Sequence, residues 1–432
     1  WNPLATSQEE RTSQLIQAAY RGVQDSRTAV RFLRKSVAEE GNPFGIDAEK
    51  VAMGGDGTGG YITMASSTIS SYNDIVFDDN GDPILKFWFD TDGDGALTPV
   101  VIEGIHGNPD GTTDTPLCMA NHAEYSSSFG FSMNMGGAMG DLNWLDEGDM
   151  PMVSFHCPHD PFAPYGTSIV VVPTTGDPVI EASGSYAVHT EINGYATNNN
   201  AVFAEIGLDD PAVALGNEGM DGLFPILNNY VGGVPSEPFD SSPWQWWDFD
   251  VVSGVDAAMG TNIAATQLTL NPTMGPDEAL FWIDQIVDYN TPRMGLALGV
   301  LSQSTIEGGV RYIEEIFDDV SVTYDVEYGT NITIIPALQG LPPAPQTLLM
   351  DVYEPVGDSE TDRPAFLFFH SGNFLPPYVN GGTQGTRQDS AVVEMCERFA
   401  RMGYVAISVD YRVGWNPLAT SQEERTSQLI QA

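Results

Sequence analysis

The chain has 432 residues, with 16 basic against 59 acidic side chains and a formal net charge of −43. Apolar residues make up 42% and aromatics 10%, enough for a sizeable core, so this is not a disordered acidic tail. The charge repels phosphate backbones and argues against nucleic acid as a partner. No apolar run approaches the length needed to span a membrane. Three cysteines, Cys118, Cys157 and Cys396, are too few and too scattered for a disulfide framework or a zinc site. The acidity suits an extracellular or periplasmic protein. The Trp1-Asn2-Pro3 start lacks the charged-then-apolar pattern of a leader, as a mature secreted protein also would.

Leu15, Ala19, Val23, Val30, Leu33 and Val37 recur at three- and four-residue steps or their sums, which predicts a long helix with one apolar face. Gly41-Asn42-Pro43 ends it. Residues 50–54 read as a short strand, with a tight glycine turn and a small-residue helix from Thr58 behind it. Residues 73–127 are rich in Gly, Asp, Asn and Pro and too long for an ordinary connection, so they read as an insertion that shapes a site. Strands are expected at Phe129–Asn134 and Met152–His156. A second insertion or lid spans about 167–275 and holds the aromatic cluster Pro243-Trp244-Gln245-Trp246-Trp247, either a satellite core or a ligand platform. A closing helix follows at Asp277–Tyr289. Strand candidates lie within Tyr312–Tyr328 and at Gln346–Tyr353. Residues 365–370 and 404–409 are continuous apolar runs suited to central strands, and a helix over Ser390–Met402 ends at Gly403. Alternation of strands and helices predicts an α/β fold, a mostly parallel sheet with helices on both faces.

Residues 1–18, WNPLATSQEERTSQLIQA, recur unchanged as residues 415–432. No such period runs through the chain, so this is not a solenoid. An identity at the two ends suggests a circle cut open with overlap, in which one domain runs from about residue 310 to the C-terminus and continues at residue 19. Only one copy can fill a given place in a fold, and the other is expected to be disordered or swapped onto a neighbouring molecule.

In that restored order the chemistry-bearing residues fall into a pattern. Gly54-Gly55-Asp56-Gly57-Thr58-Gly59-Gly60 lies between a buried strand and a helix. Small residues there allow strand and helix backbones to crowd together around a sharply turned central residue. His370-Ser371-Gly372-Asn373-Phe374 follows one buried strand, and Asp410-Tyr411-Arg412 follows the next. His156-Cys157-Pro158-His159-Asp160-Pro161 ends a third. As a set these segments resemble the α/β-hydrolase carboxylesterases, nearest to the hormone-sensitive-lipase-like esterases. The resemblance covers about residues 345–432 joined to 19–72, and 128–166.

The resemblance implies a Ser-His-Asp site acting on a small-molecule or polymeric ester. Position 57 is the nucleophile position, yet glycine cannot form an acyl-enzyme. Thr58 with Ser371 or Gly372 would supply oxyanion N–H groups, and Asp160 would orient the imidazole. Chain order nominates His189, the histidine that follows Asp160 before the closing helix, although its surroundings lack the usual Gly-x-x-His. His370 belongs to the oxyanion loop, His156 and His159 read as structural, and His106 and His122 could approach from the first insertion. Intact Asp56, Thr58, Gly59, Gly60 and Asp160 point to a recent or deliberate loss of an active serine. The alternative is a non-catalytic ligand-binding or calcium-stabilised secreted module. Asp90, Asp92 and Asp94, with Gly95 behind them, resemble the start of a calcium loop, without a glutamate at the twelfth position, Val101. That predicts a structural calcium and no catalytic cofactor.

Overall fold

The computed structural model describes residues 7–90, 94–171, 176–207, 209–227, 241–260, 262–302, 306, 311–336, 341–377 and 384–413. The first helix, α1 (Gln8–Glu39), leads into strand β1 (Ile46–Asp56) and helix α2 (Thr58–Thr68). Strands β2 (Phe131–Met135) and β3 (Met152–His156), helix α3 (Ser185–Gly194) and strand β4 (Leu223–Pro225) follow. Helices α4 (Phe249–Met259), α5 (Ile263–Leu270) and α6 (Pro276–Ala297) come next. The chain then forms strands β5 (Val320–Thr333), β6 (Ala344–Pro355) and β7 (Arg363–Phe369), helix α7 (Ser390–Arg401) and strand β8 (Val405–Val409).

The eight strands make one mixed sheet in the order β5-β6-β8-β7-β1-β2-β3-β4. Only β6 runs against the rest, and β8, β7, β1, β2, β3 and β4 pair in parallel. This is an α/β architecture, as the alternation of apolar runs predicts. The central strands are buried on both faces, and their side chains divide with period two. Val51, Met53, Leu367, Phe369, Ile407 and Val409 pack on the side of α1 and α2. Ala52, Phe366, Phe368 and Ala406 pack on the side of α6 and α7.

Helix α1 is capped by Ser7, whose Oγ accepts the Glu10 N–H at 3.1 Å. Residues 7–18 of the first repeat copy begin this helix, and the second copy, 415–432, lies outside the described residues. The outer face of α1 is polar yet buried. Gln24 donates to the carbonyls of His106 and Asn108, Arg31 to Asn121, and Arg34 to Ser126 and Ser128. Residues 106–128 therefore coat α1, and no described residue of 73–127 reaches the cavity that opens beside Gly57. The described part of the first insertion packs against α1 and lies away from the cavity at Gly57. Residues 167–275 are not one excursion either, because Leu223–Pro225 returns to the main sheet beside β3. A strand of three residues is too short to carry a period.

Behind β8, Arg412 and Asp25 form a fully buried ion pair at 2.9 Å. Removing one partner of such a pair leaves an uncompensated charge in the interior. Arg412→Met is expected to lose about 3–5 kcal/mol of unfolding free energy in urea denaturation, with Asp25→Leu in the same chain recovering part of it. A single-variant loss under about 1 kcal/mol would show the pair to be dispensable.

Candidate functional site

The turn after β1 is set by backbone. Gly57 has φ +52° and ψ −110°, a combination that side chains rarely tolerate, and its N–H donates to the Met135 carbonyl at 2.7 Å. A Cβ on Gly59 would press into the Phe369 carbonyl oxygen, so α2 can approach β7 this closely only through glycine. The space a side chain at position 57 would fill is taken by the hydroxyl of Ser371, whose Cβ would lie 3.2 Å from such a Cβ.

A cavity of about 120 Å³ opens at this turn, lined by Gly57, Thr58, Asp160, Ser241, Gln245 and Ser371 among others. It holds a small group rather than a drug-sized molecule. These groups leave the C-terminal ends of neighbouring strands, where ligands bind in open α/β sheets. Gly57 and Thr58 follow β1, Asp160 follows β3, Ser371 follows β7, and Ser241 lies beyond β4. The structure thus brings together four of the residues nominated from sequence: Gly57, Thr58, Asp160 and Ser371. Gly372 adjoins Ser371 with φ +118°.

The Asp160 carboxylate accepts the N–H groups of Phe162 at 2.7 Å and Ala163 at 3.0 Å. Its other oxygen accepts the Ser241 hydroxyl at 3.2 Å. Burial still pushes it up to about 7. The loop that carries it rests on His156, whose ring bonds Ser185 Oγ at 2.8 Å and the Ala163 carbonyl at 3.1 Å. His156 is therefore structural, and burial lowers it to about 4.

His189 is not part of the cavity. It sits fully buried on α3, with Nδ1 3.5 Å from Asn200 Nδ2. Asn200 in turn clasps both backbone groups of Met152, at the start of β3, whereas Asp160 follows the end of that strand. Burial drives the imidazole down to about 3. None of the six histidines lines the cavity among the described residues. His370 is stacked on Tyr411 at 4.5 Å, with Nε2 3.5 Å from Asp410. His106 bonds backbone at the end of its own short helix, and His122 reaches the Tyr328 carbonyl.

Two features escaped sequence reasoning. Ser241, the partner of Asp160, carries no local signal. The aromatic cluster is a clasp on the turn: Trp244 Nε1 donates to Asp56 at 2.8 Å, and Gln245 Nε2 donates to the other carboxylate oxygen. Thr58 Oγ1 lies 3.0 Å from Tyr411 OH, which donates to the His370 carbonyl, so the threonine hydroxyl is the donor between them. Of the calcium-loop candidates, Asp92 lies outside the described residues. Asp90 and Asp94 accept the N–H groups of Gly95 and Ala96. No group of three metal-ligating side chains occurs among the described residues. Nor is any helix among them long and apolar enough to cross a membrane.

No protein-family model, curated protein or solved structure matches this chain.

Asp56 is 2% exposed, and burial raises it to about 7. A carboxyl raised above its unfolded value supports the fold below the unfolded value, and that support is lost as pH rises through 7. Asp56→Asn cannot titrate. Wild type should therefore lose up to about 4 kcal/mol relative to Asp56→Asn between pH 4 and pH 8. Chemical denaturation at several pH values checks this, and parallel curves for the two proteins would contradict it.

Proposed function

We propose that this chain binds a ligand on an α/β-hydrolase-type scaffold without hydrolysing it. One observation carries the reading: Ser241, not an imidazole, donates to Asp160. Acyl transfer needs a hydroxyl and a neighbouring base to take its proton. Position 57 has no side chain. The Ser371 hydroxyl, which fills the space beside it, has no histidine in the cavity among the described residues to activate it.

The scaffold reading rests on strand order. Begun at residue 320 and continued from the C-terminus to residue 7, the sheet reads 1-2-4-3-5-6-7-8, with only the second strand antiparallel. In that order five of the seven sequential pairs are neighbours and the other two are one strand apart, whereas the order as written joins the two opposite edges, β4 and β5. The restored order resembles the α/β-hydrolase sheet and supports the permutation inferred from the repeat. The turn at Gly57, the loop at Ser371 and the loop at Asp160 then stand where that family carries its nucleophile, oxyanion loop and acid. In a binding protein the start of α2 keeps its use, because backbone N–H groups there hold a ligand oxygen in its ground state.

A second reading, an esterase deprived only of its serine, is favoured by the sharply turned backbone at Gly57, the conformation a hydrolase gives its nucleophile. Hydrolysis of a short-chain p-nitrophenyl ester separates the two. Wild type and Gly57→Ser are both expected to stay at background. Gly57→Ser with Ser241→His is expected to rise at least about a hundredfold, the contribution of a positioned base. A burst followed by turnover with Gly57→Ser alone would overturn the binding reading in favour of the esterase.

A further inference from the structure

Helices α4 and α5 pack against each other, yet none of their described apolar residues joins the cores on either face of the sheet. Val252 is buried, but Val251 and Leu268 are 52% and 42% exposed. Val251, Gly254 and Ala258 fall on one face of α4 at steps of three and four, and all are exposed. Ala265 and Leu268 do the same on α5. Between Val251 and Pro276 the single charged side chain is Asp256. Its two oxygens are turned inward, accepting the N–H groups of Ile263 at 2.8 Å and Ala264 at 2.9 Å. Helices of 11 and 8 residues are too short to hold in water without a packed face. We propose that the exposed face of α4 and α5 pairs with the same face of a second copy of this chain.

Charge selects the occupant. Each chain carries a net −43, so two copies meet acid on acid over most of their surface. The outer face of α4 and α5 has no charge to repel. It comes with every copy, as two-fold pairing requires. A lipid surface is a poorer fit, because segments that lie on membranes bring lysine or arginine to the headgroups and this one has neither. Gly254, Ala258 and Ala265 are small, so helices of two copies can approach to about 8 Å, the close end of helix packing. Helices of these lengths span about 16 and 12 Å. The paired face is therefore smaller than the roughly 800 Å² a side of a standard interface, and the dimer is weak. Gln267 of α5 also lines the cavity at Gly57, so the helix that pairs is a wall of that cavity.

Sedimentation equilibrium of the full chain from about 5 to 300 µM tests this. The weight-average mass should rise from one chain toward two and stop there, because a two-fold contact closes. Raising sodium chloride from about 0.05 to 0.5 M should lower the dissociation constant at least about tenfold, since salt screens repulsion between the copies. Val251→Asp and Leu268→Asp each put a charge on the face and should weaken pairing at least about tenfold. Val356→Asp adds the same charge to a half-exposed valine at the end of β6 and should leave pairing unchanged. All three positions are exposed, so thermal unfolding should show each variant folded. One chain at every concentration and salt would overturn the proposal. So would a dimer that survives both aspartates on the face, or a mass that grows past two chains. A monomer that floats with neutral phosphatidylcholine vesicles would give the face to a lipid surface instead.

Discussion

The contact on which the rest of the molecule depends is the ion pair of Arg412 and Asp25, both fully buried. Burying two charges is costly unless the geometry is good and the remaining donors are satisfied. Here they are. Arg412 also donates to the carbonyls of Leu117 and Ile332 and to Gln24 Oε1, and its own N–H bonds Asp25. One guanidinium thereby joins the end of β8 to α1, to the coat over α1 and to edge strand β5. The two residues before it continue the arrangement. Tyr411 holds the His370 carbonyl and the Thr58 hydroxyl, and Asp410 accepts the Arg387 N–H at 3.0 Å. A tripeptide leaving one strand fixes both sides of the cavity at Gly57.

Within that frame the turn at Gly57 holds a sharply bent backbone with no side chain on it. A side chain held at such dihedrals costs on the order of 1–3 kcal/mol and persists only where the surroundings enforce it. Glycine carries no such cost. Ser371 occupies the space a side chain at position 57 would take, and Ser241 bonds Asp160. The two hydroxyls come from separate loops, one against the turn and one on the acid.

Sequence periodicity reached the parts of the fold that bury continuous apolar surface. Helix α1, strands β1, β7 and β8 and helix α7 are legible because each is a long or uninterrupted apolar pattern. The loops at Asp160 and Ser371 were legible because strand ends delimit them. What failed was inference from chain order. His189 follows Asp160 in sequence, yet α3 carries it back to the opposite end of β3. Ser241 was invisible because only tertiary contact gives a lone serine meaning. The polar face of α1 carries Gln24, Arg27, Arg31 and Arg34 at helical spacing, and no sequence pattern marks it as buried. It is buried because loop carbonyls supply acceptors that water would otherwise supply.

That coat bears on the character of the site. The chain has only 16 cationic side chains, and many serve the interior. Arg31 and Arg34 bond loop carbonyls, Arg27 bonds the Ser66 carbonyl of α2, Arg412 holds the buried Asp25 carboxylate, Arg293 pairs with the half-buried Asp221, and Arg363 ties β7 to the Phe44 and Gly45 carbonyls. Guanidinium suits this work because its fork can satisfy several fixed acceptors at once. The acidic surplus is therefore left to the surface, and no described cation lines the cavity at Gly57. The same allocation that lets polar loops pack against α1 leaves the cavity at Gly57 polar, with no positive charge among its described lining residues.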